Sequence, residues 1–139
     1  MKMEKTSIII CHHKGDLIYR CLDSLKNIKA EKIVVSSDIR GYYFNGGYFN
    51  NYLFRTFNNP AFKRNYGISH KGYDRILPFE CFGKYLCFMD DDVEVRYDCI
   101  QRMEDYLDSH LDTGMVYAML YKMDDHSKID TSGSFLTWC

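Results

Sequence analysis

Residues 7–36 read SIIICHHKGDLIYRCLDSLKNIKAEKIVVS, and this stretch decides the fold. Residues 7–11 (SIIIC) are a short β-branched run, which reads as a buried strand. His12, His13, Lys14 and Gly15 form a polar loop, and Asp16 is an N-cap candidate for a helix. Leu17, Ile18, Cys21, Leu22, Leu25 and Ile28 recur at helical spacing, so an amphipathic helix is expected to about Asn27. Residues 32–36 (KIVVS) read as a second buried strand. Strand, helix and strand in this short span make a βαβ unit and imply a parallel sheet.

Working outward, residues 37–51 are loop-like, with Gly41, Asn45, Gly46, Gly47, Asn50 and Asn51. A third strand is expected over 52–57 (YLFRTF), then a break at Asn58-Asn59-Pro60. A helix is expected over 61–70, with Phe62, Tyr66 and Ser69 on one face. Residues 71–83 read as an excursion containing Pro78. Residues 85–89 (YLCFM) are the next strand, and Asp90, Asp91 and Asp92 come directly after it. Tyr97, Ile100, Met103, Leu107 and Leu111 mark another helix, closed by Gly114. Residues 115–121 (MVYAMLY) read as a strand, and 124–139 turn from polar to apolar. There is no internal repeat.

The totals agree with one α/β domain over 1–139: the chain has 139 residues, 46% apolar and 27% charged. A net charge of -1 lacks the basic footprint of a nucleic-acid binder. The 12 Tyr and 9 Phe suit a sugar site, but Tyr more often packs with its ring buried and its hydroxyl wet. Six cysteines, at 11, 21, 81, 87, 99 and 139, include no C-x-x-C pair, and several lie in apolar runs. With no signal peptide and no long apolar span, the expectation is a reduced, cytoplasmic protein, compatible with peripheral attachment to a membrane.

The three consecutive aspartates are the sharpest chemical feature. They stand at the carboxyl end of a strand, where open α/β sheets bind ligands. Two carboxylates 4 Å apart repel by roughly 4 kcal/mol at an effective dielectric of 20. A divalent cation relieves that repulsion, and hard oxygen ligands suit Mg²⁺ or Mn²⁺ with substrate phosphates completing the shell. The plainer alternative is a solvated acidic turn that caps the next helix. Cys11, His12 and His13 raise a soft-metal alternative, which lacks a fourth ligand at zinc spacing.

SIIICHHKGDLIYRCLDSL, KIVVS, FKRNYGI, YLCFMDDDV and KIDTSGSFL occur in this order. Together they resemble the family 2 glycosyltransferases of the GT-A fold, over nearly the whole chain. The resemblance implies a Rossmann-like, mostly parallel sheet flanked by helices. It also implies transfer of a sugar from a nucleotide-diphosphate donor to an acceptor hydroxyl, with inversion and with metal assistance. Asp90 and Asp92 match the two aspartates of the family's D-x-D motif. By resemblance Asp92 coordinates the metal, and Asp90 faces the ribose or shares the metal. Asp91, between them, is grouped by resemblance with the nucleotide-sugar-binding residues, with a side chain that points away by alternation as the alternative. Arg64, in the segment 61–68, matches an arginine near the diphosphate, with a surface helix arginine as the alternative. Asn65 would order the loop. His12 and His13 occupy the loop that contacts the base.

Three departures from the pattern matter. Where the family carries paired acidic residues after the second strand, this chain has Ser36, Ser37 and Asp38. Asp38 would then serve in a shifted register, or serine would replace it, which leaves the nucleotide open. The link over 69–84 is longer than usual. The family's general base lies beyond the segment matched by residues 128–136. Asp124, Asp125 and Asp130 come too early for it, so none is assigned and the expectation is a chain truncated before its acceptor-binding and catalytic part. Self-association or a partner chain would then cover bare apolar surface. The acceptor, whether glycan, lipid or protein, is not specified. A non-enzymatic module that binds a nucleotide sugar or a partner is the competing reading. A haloacid-dehalogenase-type phosphotransferase fits less well, because its D-x-D stands after the first strand. A dinucleotide oxidoreductase lacks its glycine fingerprint here.

Overall fold

The computed structural model describes residues 5–13, 15–37, 51–54 and 83–131. The chain forms two compact units, Met1–Tyr97 and Asp98–Cys139. The first unit contains β1 (Thr6–His12), α1 (Leu17–Leu25), β2 (Glu31–Ser36), β3 (Asn51–Phe54) and β4 (Tyr85–Asp90). Its sheet has the order β3-β2-β1-β4, and every pairing is parallel.

A strand inside a parallel sheet is covered on both faces, so it reads as an unbroken apolar run. β1 and β2 are buried at every position, and Ile8, Ile9 and Ile10 are fully enclosed. Each such side chain contributes about 1.5–3 kcal/mol relative to exposure. α1 buries Ile18, Cys21, Leu22 and Leu25, one stripe at helical spacing, and leaves Leu17 and Tyr19 half exposed.

Both ends of α1 differ in detail from expectation. Asp16 is the N-cap residue, but its side chain makes no capping hydrogen bond. Its carbonyl accepts from the Tyr19 N–H at 3.1 Å instead. The helix stops at Leu25, and tighter turns replace the last expected residues, with the Ile28 N–H donating to the Leu25 carbonyl at 3.0 Å. Lys32 is buried in β2, and its ammonium is satisfied by the carbonyls of Ile28 at 2.8 Å and Ala30 at 3.3 Å.

At the amino end of the sheet, the Gly83 N–H donates to the Ser7 hydroxyl at 2.9 Å, and that hydroxyl donates to the Glu31 carboxylate at 2.5 Å. A Cβ on Gly83 would collide with the Ser7 backbone nitrogen, so the close approach needs glycine.

The second unit contains α2 (Cys99–Ser109), which buries Ile100 and Glu104, and an antiparallel pair, β5 (Leu120–Tyr121) with β6 (Ile129–Thr131). Two expectations change here. The helix ends at Ser109 with His110 as its C-cap, where the His110 ring stacks on Tyr106 at 4.0 Å; Gly114 does not close it, and Leu111 is 91% exposed. Of the strand expected over 115–121, only Leu120 and Tyr121 find a ladder partner. An apolar run suits an extended segment, but backbone pairing makes it a strand. The helix expected over 61–70 and the excursion around Pro78 lie outside the described residues.

Candidate functional site

The two strand ends that carry the chemistry are neighbours. β1 pairs with β4 in a register that sets Cys11 opposite Asp90, so His12 and the aspartate turn leave the same edge of the sheet together. The strand order adds meaning to this position. From β1 the chain steps to β2 and β3 on one side, then returns to place β4 on the other side of β1. The β1/β4 gap is thus where the strand order reverses, and open α/β sheets bind ligands outside the carboxyl ends of the strands at such a point.

The three aspartates are not equivalent. Asp90 closes β4 and is exposed, Asp92 is exposed in the turn, and Asp91 is half buried between them. Nδ1 of His12 lies 2.5 Å from Oδ2 of Asp91. A carboxylate can only accept, so Nδ1 donates. The His12 ring is 1% exposed. Burial pushes the Asp91 carboxyl up, but hydrogen bonds from the His12 side chain, attraction to that ring, and the backbone N–H groups of His13 and Asp91 outweigh it. The net effect holds Asp91 below the usual carboxylate value.

His13 is exposed, and its ring meets the Ser37 hydroxyl at 3.0 Å. Ser37 also donates from its backbone to the His12 carbonyl at 3.1 Å. The loop after β1 is therefore tied to the end of β2.

Helix α1 also bonds to the turn and the residues after it. The Cys21 thiol donates to the Asp90 carbonyl at 3.9 Å. Ser24 Oγ donates to the Cys21 carbonyl at 2.7 Å and accepts from the Val95 N–H at 3.0 Å. Arg20 pairs with Glu94, an exposed ion pair that adds little free energy but links helix to loop. Burial, with the nearby charges of Asp91, Asp92 and Glu94, pushes the Cys21 thiol up to about 12. It remains a protonated donor.

Of the residues expected at the site, His12, His13, Asp90, Asp91 and Asp92 are brought to one end of the sheet. Asp38, Arg64 and Asn65 lie outside the described residues. The resemblance sets His12 among the residues touching the base; its ring is enclosed and bonded to Asp91, while His13 is exposed. Cys21, Ser24 and Glu94 carry no site role in the sequence reading. The signal for the first two is the R-C-L-x-S-L pattern, whose arginine, cysteine and serine all face the acidic turn. Among the described residues, no three His, Cys, Asp or Glu side chains gather in a group that could hold a metal ion.

No curated protein and no solved structure matches the chain. The model of the family described as Glycosyl transferase family 2 matches residues 6–134, from the start of β1 to beyond β6. The parallel α/β sheet and the acidic turn at its switch point agree with that match, and the chain belongs to glycosyl transferase family 2.

Proposed function

We propose that this chain binds a nucleotide-diphosphate sugar at the carboxyl ends of β1 and β4, and that the site serves inverting transfer of the sugar to an acceptor hydroxyl. The observation that carries the reading is the placement of Asp90 and Asp92 at the switch point of the sheet, beside the loop of His12 and His13. Among the described residues there is no ready-made cage of three ligating side chains. Two exposed carboxylates nevertheless suit a Mg²⁺ or Mn²⁺ ion that arrives with the diphosphate, since such ions are held by one or two carboxylates and take phosphate and water oxygens for the rest. Asp92 and Asp90 would hold it. When bound, the ion would neutralise charge on the departing diphosphate.

The chain's own residues divide the remaining work. His13 would meet the nucleotide; its exposure at the loop and its tie to Ser37 support that role. Asp38 and Arg64 are proposed for the base and the diphosphate on family resemblance. No residue is assigned as the general base. No helix among the described residues is long and apolar enough to cross a membrane; a cytoplasmic location, peripheral at a membrane, is part of the same proposal.

Calorimetric titration of UDP and GDP, with Mn²⁺ and then with chelator, tests the reading. Metal-dependent binding of one nucleotide, lost in Asp92→Ala, is the expected result. A folded chain that binds neither nucleotide overturns it. Binding without transfer to any hydroxyl acceptor favours a donor-binding module over an enzyme.

A further inference from the structure

We propose that His12 is a positioning residue for the donor site: from inside β1 it holds Asp91, and so fixes the turn that presents Asp90 and Asp92 to the ligand. The inference rests on the donor-site reading above.

Three successive carboxylates repel one another, and an unrestrained turn would spread them over many arrangements. Here the middle one is pinned. Asp91 accepts from His12 Nδ1 at 2.5 Å and from the backbone N–H of His13. The His12 ring is 1% exposed and presents almost no surface to solvent, and its bond to Asp91 links it to the turn. The anchor joins β4's turn to the neighbouring strand β1, at the point where the strand order reverses.

A second restraint comes from α1, where Cys21 holds the Asp90 carbonyl and Ser24 holds the Val95 N–H. The turn is therefore held by bonds from both β1 and α1, while Asp90 and Asp92 are exposed. A buried imidazole and a half-buried carboxylate that order a ligand-bearing turn act as outer partners do in metal sites, where removal costs about 10–100-fold in metal affinity.

The test is Mn²⁺ titration by electron paramagnetic resonance into the full chain. It is run in the presence of UDP or GDP, whichever the wild type binds, with circular dichroism on the same samples. His12→Ala and Asp91→Ala should each weaken Mn²⁺–nucleotide binding by about 10–100-fold. The double variant should lose no more than the worse single one, because both changes break one link. His12→Asn, whose amide N–H stands near the place of Nδ1–H, should recover most of the affinity. A general loss of packing would not produce that rescue.

Wild-type affinity in folded His12→Ala overturns the proposal, and so does a folded His12→Asn no better than His12→Ala. Should His12→Ala fail to fold, Asp91→Ala tests the same link from the half-buried side, and wild-type affinity there overturns the proposal. A folded wild type that binds no Mn²⁺–nucleotide overturns the donor-site reading itself, which separates that failure from one confined to His12.

Discussion

Neighbouring residues of identical type have different environments in this chain, and the difference is chemical. Asp90, Asp91 and Asp92 are one letter repeated, yet it is Asp91 that is bonded to the buried His12 ring. Cysteines differ in the same way. Cys21 is fully enclosed, with its thiol pushed up to about 12, whereas Cys87 and Cys99 are only partly covered. The thiolate is the reactive form. Iodoacetamide at about pH 8, near the ordinary thiol pKa, should therefore leave Cys21 unlabelled in the folded chain and label it after denaturation, as read by peptide mass spectrometry. Cys87 and Cys99 should label sooner. Prompt labelling of Cys21 in the native chain would show that the α1 brace opens readily. None of this was legible from the triplet or from the cysteine count, because burial and partners are set by residues far apart in the chain; His12 and Asp91 are separated by 79 positions.

At the scale of elements, β-branched and apolar runs carried the reading, in β1 and β2, which are buried throughout, and equally in β4, where Met89 alone is buried. β1, α1, β2 and β4 lie where β-branched and apolar runs and the Ile18, Cys21, Leu22, Leu25 stripe predict them. It failed where an element needed a partner to exist. The apolar run over 115–121 is extended in its pattern, but the ladder forms only at Leu120 and Tyr121. The packing that joins elements makes its own prediction. Gly83 lies so close to the Ser7 backbone that a Cβ there would overlap the Ser7 nitrogen. Gly83→Ala must push β1 away from the start of β4, and it should destabilise the chain by about 1–3 kcal/mol, the usual cost of overpacking. Denaturant unfolding measures this. An unchanged midpoint would mean that the contact yields without strain.

The whole molecule ties these elements to function through linkage. A ligand that binds only the native chain stabilises it by about 2.7 kcal/mol at one hundred times its Kd. UDP or GDP with Mn²⁺ should therefore raise the unfolding temperature, and chelator should return it to the free value. A rise with nucleotide that survives chelation would argue for binding without a metal. The sequence by itself determined the βαβ start, the parallel sheet, the acidic triplet at a strand end and the family resemblance, because local hydrophobic period and ordered motifs are properties of adjacent residues. The tertiary structure alone decided that β4 lies on the far side of β1 from β2, that His12 and Asp91 meet, and that Arg20, Cys21 and Ser24 face the turn. Strand order and register bring distant residues into contact, and no local spacing encodes which strand end becomes the neighbour of which.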